Sequence, residues 1–230
     1  MPGFPAATEI TPEGYLYTGS AEVLFRFGPR LRPWDVHTRL LTDGRYPVLH
    51  SAATAGPVRY TLSTFAARVA GGPVDFVRVS MHNSAGRAAR AGWAIATRYT
   101  GGARKPNGLH RFRFARPATP ARTGLYYQPG YGWNPQSSYG FRGRAFLRDG
   151  RAVYVTRRTP RGFHLGRSRG PRHPGVRTIM GVSSYRGRIA PGHTVRLDFV
   201  VPVVPVDRTT GAYKRIAVAR FPHFRARVLG

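Results

Sequence analysis

The stretch from residue 74 to residue 99, VDFVRVSMHNSAGRAARAGWAIATRY, constrains the fold more than any other part of the chain. Val74, Phe76, Val77, Val79 and Met81 give its first half an apolar face, with Asp75, Arg78, Ser80 and His82 between them. His82-Asn83-Ser84-Ala85-Gly86 follows, a cluster of the residues that tight connections use. Beyond it Trp93, Ile95, Thr97 and Tyr99 alternate with Ala94, Ala96 and Arg98, the period of two expected of a second strand. The simplest arrangement is a long β-hairpin. One this apolar must bury a face against a second layer. The expectation is an all-β protein built of two stacked antiparallel sheets.

Turn signals on either side fit that class. Asp43-Gly44 lies between residues 36–41 and 46–51, and Asp149-Gly150 between residues 139–147 and 152–156. Asp-Gly tolerates the positive φ angles of a type I′ turn, so both pairs read as hairpins. Gly56-Pro57 separates residues 46–53 from residues 58–66, and Pro191-Gly192 precedes a last strand over residues 193–201. Such punctuation at short, regular intervals suits a sandwich or a barrel.

Most other stretches do not read as strands. Pro2, Pro5 and Pro12 make residues 1–14 a loose lead-in. A basic loop over residues 101–108 leads into a short strand at residues 110–114; residues 115–138 then mix Pro, Gly, Tyr and Trp without period, and residues 157–175 are dense in Arg, Gly and Pro. Both read as long loops, the second as a mobile one. The prolines of VVPVVPV should end sheet pairing. From Ala212 onward Ile216, Val218, Phe221, Phe224 and Val228 recur near helical spacing, with Pro222 placed to kink or break the helix.

The charge admits two explanations. Thirty-seven basic residues face nine acids, a net charge of +28, and Lys105 and Lys214 are the sole lysines. A field of this sign attracts nucleic acid and anionic glycans. Arginine without lysine, beside many Ala, Gly and Pro, is also what a GC-rich genome writes. There are no cysteines, which excludes a disulfide scaffold and thiolate metal sites. The first residues show no basic segment followed by an apolar run, so no secretion signal is visible and a cytoplasmic location is expected. No apolar run approaches the ~20 residues that span a bilayer.

Catalytic signatures are sparse. Glycoside hydrolysis generally uses two carboxylates. Asp43 and Asp149 belong to turns, Asp75 and Asp198 to strand faces and Asp207 to a linker, leaving Glu9, Glu13, Glu22 and Asp35 near the start. The eight histidines lack the short spacings of metal clips, and neither a Gly-x-Ser-x-Gly elbow nor a phosphate loop occurs. The expectation is a chain without a catalytic centre, metal or cofactor. Two constellations remain for binding. Tyr126, Tyr127, Tyr131, Trp133 and Tyr139 offer flat faces that can stack on sugar rings or pack within the fold. Arg157, Arg158, Arg161, Arg167, Arg169 and Arg172, with Gly and Phe163 interleaved, form a candidate anion contact of the kind nucleic-acid segments use, or a solvated loop.

Several phrases together resemble a known arrangement. ITPEGYLYTGSAEVLFRFG, LLTDGRYPVLHSAATAGPVRYTLSTFAA, the stretch of residues 74–99, YGFRGRAFLRDGRAVYV and LDFVVPVVPV are similar to the β-supersandwich of six-hairpin glycosidase-like proteins. In that class the sandwich, galactose mutarotase-like in fold, precedes an (α/α)6 barrel, as in glucoamylase- and debranching-type enzymes. The likeness covers roughly residues 9 to 206 and includes no catalytic motif. It implies a two-sheet antiparallel supersandwich over residues 1–206, with long loops and a short C-terminal linker helix. Residues 207–230 would lead toward a helical-barrel domain absent from this chain. The implied role is a non-catalytic scaffold that contacts a poly- or oligosaccharide. The alternatives are a basic nucleic-acid-binding β protein and a mutarotase-like epimerase using His82 or His110.

Overall fold

The computed structural model describes residues 8–10, 14–18, 21–36, 38–99, 138–169 and 177–229. Strands β1 (Glu9–Ile10), β2 (Leu16–Tyr17), β3 (Ala21–Phe27) and β4 (Arg32–Pro33) are followed by β5 (Leu40–Thr42), β6 (Tyr46–Ala55), β7 (Val58–Val69), β8 (Gly72–Asn83) and β9 (Ala89–Tyr99). Then come β10 (Tyr139–Arg142), β11 (Ala145–Arg148), β12 (Arg151–Thr156), β13 (Gly162–Arg169), β14 (Arg177–Ile189), β15 (Thr194–Pro202) and β16 (Val206–Asp207). Helices α1 (Gly211–Val218) and α2 (Phe221–Leu229) close the order. The strands form two antiparallel sheets, as expected. The first runs β1-β2-β3-β9-β14-β13 with β4 beside β3; the second runs β10-β11-β12-β15-β8-β7-β6-β5 with β16 beside β12.

The stretch of residues 74–99 is not a hairpin. β8 lies between β7 and β15 in the second sheet, and β9 between β3 and β14 in the first. The chain therefore crosses from sheet to sheet between them, and the two strands face each other across the core. Val77, Val79 and Met81 of β8 meet Trp93 and Ile95 of β9 in one buried cluster. Asn83, fully buried, holds the corner. Its Nδ2 donates to the carbonyls of Arg87 (2.8 Å), Ile189 (2.9 Å) and Ala190 (3.3 Å), and its Oδ1 accepts from the Ala85 amide (3.1 Å).

The Asp-Gly hairpins form where expected. Asp149 and Gly150 have φ of 49° and 75°, and Asp43 and Gly44 of 51° and 70°, the left-handed backbone a type I′ turn needs. Three local readings are corrected. Gly143 (φ 59°) splits residues 139–148 into β10 and β11. Residues 162–169, read as loop, are edge strand β13 on β14; an edge strand needs only backbone pairing, so Arg and Gly do not forbid it. Pairing resumes after the prolines, where β16 joins β12. The C-terminal segment breaks, as expected, into two helices, with Pro222 in the first turn of α2, where its missing N–H costs little.

There are two cores. The inner one, between the sheets, holds Trp93, Val79, Ile95, Val153 and Phe199 around an aromatic chain of Phe25, Trp93, Trp34, Phe27 and Tyr60. Phe76, grouped in the sequence with Val77 and Val79 on one apolar face, instead joins an outer core between the second sheet and the helices. It stacks on Phe65 (5.0 Å between centroids) and on Phe224 of α2 (4.8 Å), while Phe221 meets Phe65 edge-on.

Candidate functional site

At the corner end of the sandwich three connections converge: the β3–β4 turn, the β6–β7 turn and the β8–β9 crossing. The close approach depends on glycine. Gly28 has φ of 82° and starts the β3–β4 turn, in which the Leu31 amide donates to the Gly28 carbonyl (3.0 Å). That carbonyl lies 2.7 Å from where a Cβ on Gly92 would stand, so any side chain at Gly92 would push the turn off β9. Beneath it the buried Tyr60 hydroxyl accepts the Gly92 amide (3.2 Å). Ser84 ties the crossing to the β6–β7 turn by donating through both its amide and its hydroxyl to the Pro57 carbonyl, each at 3.1 Å.

These connections enclose a cleft of about 720 Å³ whose walls carry Arg30, Arg32, Arg87, Arg90 and Arg188 and no carboxylate. All five arginines are exposed. Five of fourteen lining residues is more than one in three, against 37 basic residues in 230 for the whole chain, about one in six. A genomic arginine habit does not by itself concentrate them here. Arg90 of β9 and Arg188 of β14 are direct cross-strand partners, a like-charge pairing that destabilises a sheet. Arg32 forms part of the wall, its guanidinium 4.5 Å above the Phe27 ring and donating to the Thr54 carbonyl (2.6 Å).

A second recess of about 210 Å³ adjoins, lined in part by Arg158, Arg161, Arg186 and Arg188. A shallow groove of about 360 Å³ links the two, with Arg90, Arg161, Arg186 and Arg188 on its walls. Among the described residues none of these eight arginines forms an ion pair.

The candidates from sequence fare unevenly. Arg158 and Arg161 line the second recess. Arg157 faces the other way, its Nη2 donating to the carbonyls of Val218 (2.7 Å) and Ala219 (2.6 Å), where it satisfies the C-terminal end of α1. Arg167 and Arg169 lie in β13, opposite Ile179 and Arg177. Arg172 lies outside the described residues, as do Tyr126, Tyr127, Tyr131, Trp133 and His110; Tyr139 is the first residue of β10, opposite Arg148. The five arginines of the main cleft went unnoticed in the sequence, where they are scattered from residue 30 to residue 188 beside turns. Their positions at turn flanks were the available signal.

Four described carboxylates, Asp75, Asp149, Asp198 and Asp207, serve the fold. Asp198 pairs with Arg78 through two bonds of 2.7 and 2.8 Å, and that guanidinium lies 4.3 Å over the Phe221 ring. Asp149 accepts from the Ser138 amide and Asp207 from Thr209. Asp75 is buried on the inner face and accepts from the Thr8 hydroxyl; burial raises its pKa to about 7, with the Thr8 bond opposing. His50 bridges Thr42 (2.6 Å) and Ser63 (2.9 Å), and burial first, then Arg225, holds its pKa below the usual imidazole value. His82 contacts Thr194 at 3.0 Å and lies between Arg59 and Thr194 across the strands. No group of three metal-ligating side chains occurs among the described residues. No helix among them is long and apolar enough to cross a membrane.

The fold defines an antiparallel two-sheet β-sandwich carrying two C-terminal helices on the outer face of one sheet. No protein-family model matches the chain, and no curated protein matches it. Among solved structures a polysaccharide lyase aligns with 83% of this chain at 12% identity and a TM-score of 0.40. The chain spans 26% of that protein's length. A likeness at this level carries neither family nor chemistry.

Proposed function

We propose that the chain is a non-catalytic β-sandwich platform of a carbohydrate-active protein, and that its arginine-lined cleft holds a saccharide bearing anionic groups. The observation that carries the reading is the opposed pair Arg90 and Arg188 inside a cleft without carboxylates. Two like charges held side by side at the surface are relieved by an anion between them. A guanidinium fork suits carboxylate and sulfate in particular.

A saccharide is preferred over nucleic acid because the walls offer no free ring face. Phe27 is 4% exposed and covered by Arg32, and Tyr185 in the second recess is 6% exposed. Single-stranded nucleic acids are held largely by stacking of bases on aromatic side chains. In the same reading residues 207–230 begin the connection to a helical domain, since α1 and α2 are seated on the sheet while Val218 stays 68% exposed.

Calorimetric titration at 150 mM salt tests the proposal. Trigalacturonate is expected to bind, maltotriose not, and Arg90→Ala with Arg188→Ala to weaken the acidic sugar at least tenfold. Absence of binding by the acidic sugar, or release of reducing ends from starch or a β-glucan by the purified chain, would sink it.

A further inference from the structure

The main cleft does not end at its own rim. Arg188 lines all three recesses, Arg90 lines the main cleft and the groove, and Arg161 and Arg186 line the groove and the second recess. Chain topology explains the continuity. Arg90 and Arg188 are cross-strand partners, and Arg186 sits two residues along β14 opposite Gly92. Alternate residues of a strand share a face, so Arg186 and Arg188 project from the same side of the sheet. Arg161 enters beside them because its amide donates to the Ser184 carbonyl (2.9 Å) just before β13 begins. Arg158 completes the far recess.

We infer that these arginines form one continuous track for a linear polyanionic glycan, a chain with carboxylates or sulfates on successive sugars, and that Arg90 and Arg188 are its midpoint. The inference rests on the saccharide reading above and adds the polymeric nature of the ligand and its path. A single anionic sugar occupies the main cleft and leaves Arg158, Arg161 and Arg186 uncompensated. A chain of several units passes the opposed pair and places later charges against those three. Binding the second portion is then intramolecular, so affinity grows with chain length beyond what one cleft supplies.

The experiment compares a galacturonate trimer with a dodecamer, on the native chain and on Arg161→Ala combined with Arg186→Ala. A sulfated dextran of matched length serves as the sulfate arm, and a single-stranded oligodeoxynucleotide of matched charge as the control. The dodecamer is expected to bind the native chain at least thirtyfold tighter than the trimer. The double substitution should remove about tenfold of that advantage, lowering dodecamer affinity far more than trimer affinity. A longer chain also offers more binding registers, but that statistical gain persists in the variant, so the variant isolates the track. Equal losses for trimer and dodecamer, or no loss for either, overturn the track while leaving the main cleft intact. Failure of the trimer itself to bind the native chain would instead remove the saccharide reading. An oligodeoxynucleotide that binds as tightly, with the same dependence on Arg161 and Arg186, overturns the glycan assignment. Preference for galacturonate or for sulfated dextran identifies the anionic group, and both support the track. Unchanged thermal midpoints of the variant show that it folds.

Discussion

Asp75 is a buried carboxyl whose protonation bears directly on stability. Its β-sheet partners are Ala66 and Val201, neither of them charged, and Thr8 supplies its hydrogen bond. Burial raises its pKa from 3.8 to about 7, so the folded protein keeps the proton over a pH range in which the unfolded chain has lost it. Stability from this group is therefore fully present below about pH 4, falls as pH rises toward 7, and falls no further above that. The rise from 3.8 to about 7 corresponds to roughly 4 kcal/mol. Urea denaturation at pH 5 and pH 8 should show the native chain less stable at pH 8. Asp75→Asn, which keeps an acceptor for Thr8 but cannot ionise, should flatten the profile and be the more stable chain at pH 8. An unchanged slope in the variant would show that other groups set the pH dependence.

Elements were legible where their signal is local. Both Asp-Gly turns, β6 and β7 follow from a few adjacent residues. Strand partners were not. β8 and β9 have the alternation of a hairpin, yet a five-residue connection between apolar strands also permits crossing to the opposite sheet. Val74 and Phe76, apolar on the face opposite Val77 and Val79, were the sign that β8 is covered on both sides. β13 was unreadable because an edge strand among Gly and Arg leaves no apolar period. The arginine cleft was likewise hidden, since sheet register joins Arg90 to Arg188 across nearly a hundred residues. Arg158 and Arg161, close together in one run, could be found. The corner itself makes an element-scale test. Asn83→Ala removes the donor to three carbonyls and the acceptor of one amide in a buried position. The expected loss is about 3 kcal/mol in chemical denaturation, together with weaker binding in the main cleft as Arg87 loses its anchored backbone. Full stability in the variant would mean that the β8–β9 crossing is held by packing alone.

At the scale of the whole molecule two layers of burial oppose one large charge. The inner core joins the sheets, and the outer core seats α1 and α2 against Phe65, Phe76 and Val200. Phe221→Ala should cost about 3–5 kcal/mol, as for other buried aromatics, and would also strip Arg78 of the ring beneath it. A thermal midpoint unchanged by that substitution would show that the helices contribute nothing to the fold. The net charge of +28 works against both cores, because self-repulsion is greater in the compact state than in the expanded chain. Salt therefore has opposite effects on folding and on binding. Raising NaCl from 50 to 500 mM shortens the screening length from about 14 to about 4 Å, which should raise the thermal midpoint of the free chain by relieving repulsion among its arginines. The same change should weaken the acidic ligand at least tenfold, because the arginines that repel one another are those that attract it. Scanning calorimetry of the free chain and titration of the ligand over one salt series read both effects. A midpoint that falls with salt, or an affinity that does not, would mean that the arginines are either paired within the fold or dispersed too widely to act together.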